Sequence, residues 1–161
     1  MDSLSSRASR TTRSIPYPLS GSPTANSVIA TLNEEPFVAE TIGGIYEPDG
    51  SRWSWGIGSH RGFPKPVGIY VLCRPDMVNG MTYQLTPGDG PLQLWFAFDL
   101  DQGLIFASVG GEGTMTHDPA TSLVQGRFAF VALDNDDHEA RVTAGTLNVG
   151  PSRQPFVKGN V

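Results

Sequence analysis

Apolar and polar residues alternate along most of the chain with a period of two. Phe128 and Phe130 are interleaved with Arg127 and Ala129, and Val142 with Arg141 and Thr143. The stretch 124–132, the polar knot Asp134-Asn135-Asp136-Asp137 and the return 140–149 therefore read as a β-hairpin with one buried face. Its core side chains are Phe128, Phe130, Val142 and Leu147.

The same rhythm recurs upstream. Ser27 to Leu32 predicts a strand, Asn33-Glu34-Glu35-Pro36 a turn, and Phe37 to Ile42 a second strand that Gly43-Gly44 would bulge. Glu47-Pro48-Asp49-Gly50 is a strong turn signal, because proline presets one backbone angle and glycine accepts a positive one. Arg52 to Ile57 alternates, Gly58 to Pro66 reads as a loop, and Pro66 to Cys73 as an apolar strand. Met81 to Leu85, Leu92 to Phe98, Leu104 to Val109 and Gly113 to His117 complete the series. No helical period survives in any window of eleven residues. The pattern predicts an all-β fold, a mostly antiparallel sandwich or flattened barrel of about 8–10 strands.

Composition agrees: 19 Gly and 13 Pro in 161 residues supply the turns such a fold needs. Residues 1–26 differ, being rich in Ser, Thr and Arg and poor in large apolar groups. They are expected to form a disordered tail before a single domain over 27–161. A targeting role for that tail is the alternative, since Ser/Arg-rich segments also serve as export or transit addresses.

The tail carries Arg7, Arg10 and Arg13 against Asp2, whereas residues 27–161 hold eight basic and fifteen acidic groups. An acidic body argues against nucleic acid as partner, because phosphate recognition needs a cationic face. No apolar run is long enough to span a membrane as a helix, and no apolar core of a secretory signal is evident. A cytoplasmic location and export without a recognisable signal peptide both stay open. Cys73 is the single cysteine and lies in an apolar run, as an inert buried thiol would. Prolines near strand ends guard sheet edges, which points to a soluble monomer or a small closed oligomer.

The segment order resembles that of a bacterial all-β domain family of unknown function, lipocalin-like or sandwich in build. The resemblance rests on Ala30 to Ala39, on Gly126-Arg127-Phe128-Ala129-Phe130, and on Val142-Thr143-Ala144-Gly145-Thr146-Leu147. It implies an all-β fold and brings no catalytic residues. Family members usually carry a lipoprotein signal with a lipidated cysteine, and this chain has neither.

Candidate chemistry is sparse. Trp53 and Trp55 stand two apart, so both rings project from one strand face, either into a core or as a platform for a sugar or peptide. Trp95 faces away from Leu94, Phe96 and Phe98, which makes it a candidate contact residue on an outer face. His60, Arg61 and Lys65 place positive groups on an otherwise acidic body and could hold an anion. Asp134, Asp136, Asp137, His138 and Glu139 crowd the hairpin tip; such an oxygen-rich tip could bind calcium, but the EF-hand order is missing and turn chemistry explains the residues without an ion. No nucleophile elbow is present and no cofactor is implied. The expectation is a non-catalytic binding or interaction module for a protein, glycan or small molecule. The alternatives are a lipocalin-like carrier of a small apolar ligand and a hydrolase with a convergent site.

Overall fold

A computed structural model describes residues 26–60, 63–86 and 90–151. The expected tail up to residue 25 and the candidate Arg61 lie outside the described residues. Ten strands follow in order: β1 (Ser27–Leu32), β2 (Glu35–Val38), β3 (Thr41–Tyr46), β4 (Arg52–His60), β5 (Phe63–Cys73), β6 (Thr82–Gln84), β7 (Leu92–Asp99), β8 (Leu104–Asp118), β9 (Leu123–Leu133) and β10 (Glu139–Val149). One 3-10 turn, Leu100–Gln102, is closed by Asp99, whose carboxylate accepts from the Gln102 N–H at 3.3 Å. No helix among the described residues is long and apolar enough to cross a membrane.

All pairings are antiparallel, and the strands form one sheet in the order β2-β1-β10-β9-β8-β7-β5-β4-β3, with β6 added beside β8. The two ends of that path, β2 and β3, are consecutive in the chain, separated only by Ala39 and Glu40. The Ala39 N–H donates to Val28 of β1 at 3.0 Å and the Glu40 N–H to Ile57 of β4 at 2.7 Å. The sheet therefore curls until its ends meet at a two-residue corner. The all-β, antiparallel reading holds.

The inner face of the curl is the main core, built from alternate residues of nearly every strand: Val28, Leu32, Phe37, Val67, Ile69, Val71, Leu94, Phe96, Phe128, Phe130, Val142 and Leu147 among them. At the seam the opposing walls touch. A Cβ on Gly56 would lie 2.6 Å from the Val28 Cβ and 2.7 Å from the Ala39 Cβ. Only glycine lets β4 approach the β1–β2 wall at that level.

Several elements differ from the pattern-based expectation. Gly43-Gly44 does not bulge: both pair regularly with Trp55 and Ser54. They are small because the Trp55 ring lies over Gly43, at 2.7 Å from its notional Cβ, and the Arg52 guanidinium lies over Gly44. The loop expected over 58–66 is mostly strand, since β4 runs to His60 and pairs it with Phe63. Pro64 and Pro66 are tolerated because β5 meets β7 only from Gly68 onward, so the sheet asks for no donor there on that side. The two strands expected over 104–117 are one strand, shifted in register between Ser108 and Gly110, with Gly111 at φ 127°. That bend hands β8 from β7 to β6, while β9 pairs with it from Ser108 to Asp118.

Gly56→Val should lower stability by about 1–3 kcal/mol through overpacking of the seam. Gly110→Ala, where a new Cβ meets nothing within 4 Å, should change it by less than about 1 kcal/mol. Urea unfolding of both variants against the parent checks the contrast, and equal effects would remove the seam as a constraint.

Candidate functional site

The register of β3, β4, β5, β7 and β8 writes out the outer face in rows. Ile45, Trp53, Leu72 and Gln93 lie side by side, and next to them Gly43, Trp55, Tyr70, Trp95 and Ala107. Of these, Ile45, Trp53, Trp55, Tyr70 and Leu72 belong to a second apolar cluster, separate from the inner core, with Trp95 and Leu100 of the 3-10 turn packed against it. Trp53 and Trp55 do share one strand face, as their spacing predicts. They sit on the outer face and are nevertheless buried, at 1% and 4% exposure. Trp55 stacks on Tyr70 with centroids 6.3 Å apart, and Trp53 tilts against half-buried Trp95 at 6.4 Å.

Of the other candidates, His60 is buried at the far end of β4 against the Phe63 ring, 5.5 Å between centroids. Eight residues of strand put it roughly 26 Å from Arg52. Lys65 is exposed on β5. The structure thus joins Trp53 with Trp95 and leaves His60 and Lys65 at the opposite end of the strands.

Beside Trp53 lies a groove of about 280 Å³ lined by Glu47, Pro48, Asp49, Ser51, Trp53, Leu72 and Arg74. The sequence builds its wall through the predicted turn. The Gly50 N–H donates to Glu47 at 3.0 Å, the Glu47 N–H to Ser51 at 2.8 Å, and Gly50 takes φ 94°. The Ser51 N–H donates to the Asp49 carboxylate at 2.8 Å. That bond is the main reason the Asp49 carboxyl titrates below its ordinary value, with the Ser51 hydroxyl and the Arg74 charge assisting. Trp53 and Leu72 are direct cross-strand partners beneath the groove, with only 1% and 3% of their surface exposed. Arg74 follows directly on β5 and lines the groove, its backbone N–H donating to the Pro91 carbonyl at 2.9 Å. Its Nε is buried with no hydrogen-bond partner, an arrangement that leaves a strong donor unspent. Pattern reading passed over Arg74 because nothing periodic marks it. The usable signal was a charged residue directly after an apolar strand, facing a Pro-Asp-Gly turn.

A second polar constellation lies at the same end of the sheet, inside the curl. Buried Arg52 donates to the carbonyls of Trp53 (3.1 Å), Ser122 (2.9 Å) and Gly150 (3.1 Å), and its guanidinium sits 5.3 Å from the Tyr46 ring centroid. The Tyr46 hydroxyl donates to the Ser122 hydroxyl at 3.3 Å and lies 2.9 Å from His117 Nε2. With the tyrosine proton directed at Ser122, His117 donates from Nε2 to the tyrosine. Burial, then Arg52, lowers the His117 pKa, against the pull of Asp118. His117 reaches Ser122 only through Tyr46, so the trio does not form a serine–base pair of the hydrolytic kind.

At the hairpin tip Asp134, Asp136 and His138 bring potential ligand atoms within 4.8 Å of one another. Asp134 already spends one oxygen on the N–H groups of Asp136 and His138, both at 2.8 Å, and the other on His138 Nδ1 at 3.0 Å. The Asp134 side chain raises the His138 pKa. Burial pushes the Cys73 thiol up to about 12, the behaviour of an inert core cysteine. No protein-family model, no curated protein and no solved structure matches this chain.

The two histidines should titrate on opposite sides of 6.5. His117, held neutral, contributes stability above pH 6.5 that is lost as pH falls from there through its lower folded value. His138 contributes stability below pH 6.5 that is lost as pH rises through its higher folded value. Titration of the ring carbon protons by NMR checks both; identical midpoints would contradict the two environments.

Proposed function

We propose that the protein is a non-catalytic binding module and that the groove beside Trp53 is its ligand-contacting surface. The observation that carries this reading is Arg74, whose buried Nε has no partner while it lines a groove with an apolar floor. Ligand sites combine such a floor with a few convergent polar groups. The resemblance to a bacterial all-β family without catalytic residues supports the same direction.

The carrier reading has less support. A ligand held within the curl would compete with the Phe37, Phe96, Phe128 and Phe130 side chains, and at the seam β4 already touches Val28 and Ala39. The hydrolase reading would rest on Ser122 and His117, which Tyr46 keeps apart.

A panel of glycans, nucleotides, organic acids, amines and amino acids, followed by amide and indole NMR shifts, tests the proposal. The expected result is a set of shifts confined to Trp53, Leu72, Arg74 and the 47–51 turn. Shifts confined to the inner core would favour the carrier, as would native mass spectrometry of fresh protein showing a retained apolar molecule. A panel that shifts nothing removes the binding reading.

A further inference from the structure

We infer that Asn79-Gly80 is a site of spontaneous covalent modification: water converts the Asn79 carboxamide to a carboxylate whenever the turn over 77–81 lifts from β8, and the product no longer latches that turn. The inference concerns the edge of β8 and is independent of the groove.

The sequence supplies the chemistry. No other asparagine in the chain precedes a glycine. Asparagine is thermolabile because the backbone nitrogen of the next residue can attack its Cγ, and glycine offers no side chain to obstruct that approach. The Gly80 nitrogen gives up its proton and bonds to Cγ. The Cγ–Nδ2 bond breaks, and Nδ2 takes up a proton and leaves as ammonia. Water then adds to one carbonyl of the cyclic imide, and the bond from that carbonyl to the Gly80 nitrogen breaks, its electron pair taking a proton. Opening at Cγ leaves aspartate. Opening at the Asn79 backbone carbonyl leaves isoaspartate, with the main chain routed through the side chain. The net change is carboxamide plus water to carboxylate plus ammonium, so solvent is the sole co-reactant.

The fold supplies the gate, because both reacting groups are engaged with β8. The Gly80 N–H donates to the Met115 carbonyl at 3.0 Å. The Asn79 carboxamide clasps the His117 backbone, Oδ1 accepting from its N–H at 2.8 Å and Nδ2 donating to its carbonyl at 3.1 Å. β6 pairs with β8 only from Glu112 to Thr114, and these bonds carry the cover of that edge onward to His117. Attack on Cγ requires the Gly80 nitrogen to leave Met115 and the carboxamide to turn from His117. The latched turn is therefore unreactive and the opened turn reactive. Val78, Asn79, Gly80 and Met81 are all exposed, so opening uncovers little apolar surface. A further tie restrains it, the Val78 N–H donating to the Tyr83 hydroxyl at 2.9 Å.

The product alters the latch. A carboxylate has no hydrogen to give, so an oxygen faces the His117 carbonyl where Nδ2 donated. Isoaspartate also lengthens the main chain between residues 79 and 80, which displaces the Gly80 N–H from Met115. The conversion runs one way in water and accumulates with the age of each molecule.

The test incubates the full chain warm at slightly alkaline pH and follows conversion at residue 79 by peptide mapping and mass spectrometry. The parent unfolded in urea should convert at least about tenfold faster than the folded parent, because the bonds to β8 hold the turn shut. Tyr83→Phe keeps the ring and deletes the hydroxyl that holds Val78. Folded, it should convert at least about threefold faster than the parent, with no matching rise at Asn135 in the hairpin tip. Hydrogen exchange needs no such variant: the parent Gly80 N–H should be protected, and Asn79→Asp should speed its exchange at least about threefold. Thermal melting verifies the fold of each variant, and the urea and exchange arms stand even if Tyr83→Phe fails to fold. Equal conversion in the folded and unfolded parent overturns the gate, as does an unprotected Gly80 N–H or a folded Tyr83→Phe that converts at the parent rate. No conversion in urea overturns the site itself, and unchanged Gly80 exchange in Asn79→Asp overturns the loss of the latch.

Discussion

The close approach of β4 to the β1–β2 wall is the constraint on which the rest of the structure depends. A sheet whose path ends in β2 and β3 can curl shut only if the corner Ala39-Glu40 is short and the facing strand is thin. β4 meets the second condition by carrying Ser54, Gly56 and Gly58 at its inward positions. Strand alternation then dictates where its bulk goes. Side chains excluded from one face of a strand can be accommodated only on the other, so Trp53, Trp55 and Ile57 stand outside. The outer aromatic cluster is thus a consequence of how the curl closes. Burial of those rings follows from their packing across neighbouring strands, with Tyr70, Leu72 and Trp95 supplying the partners.

Arg52 links the two faces at one end. Its side chain points inward and ties β4 to the β8–β9 connection through Ser122 and to the exit of β10 through Gly150. Asn26 holds that same exit, its side-chain oxygen accepting from the Gly150 N–H at 2.8 Å. A buried guanidinium costs much desolvation, and three carbonyl acceptors with the Tyr46 face offset it. The neighbouring residue, Trp53, inherits that fixed backbone and turns it outward into the groove floor. Precision at the outer site therefore originates in an inner contact one residue away. The same charge disfavours protonated His117, which couples the end of the sheet to pH.

Much of the fold was legible wherever a strand has one wet and one dry face. The terminal hairpin followed its alternation, and Phe128, Phe130, Val142 and Leu147 are all in the core. The Glu47-Pro48-Asp49-Gly50 turn was legible from backbone preferences alone. What escaped was whatever depends on a partner distant in sequence. Gly43 and Gly44 look like a bulge until the Trp55 ring and the Arg52 guanidinium are seen above them. Pro64 and Pro66 look like a loop because nothing local says which edge of β5 lacks a neighbour. β8 looks like two strands because Gly110-Gly111 interrupts its apolar pattern, although β9 pairs with it on both sides of the interruption. In the site, the shared face of Trp53 and Trp55 was legible from their spacing, while their place on the outer side of the curl was not. Arg74 was illegible because its importance is an unmade hydrogen bond, and absence of a partner leaves no mark in a sequence.

The proposed binding surface lies on the outer face for a physical reason. The inner face is committed to closing the curl, so a polar group added there would be stranded without partners. The outer face offers an aromatic floor already braced for structural reasons, and the β3–β4 turn can change its polar residues while Pro48 and Gly50 keep its shape. Asp49 and Arg74 both line the groove, and the guanidinium helps hold the Asp49 proton off.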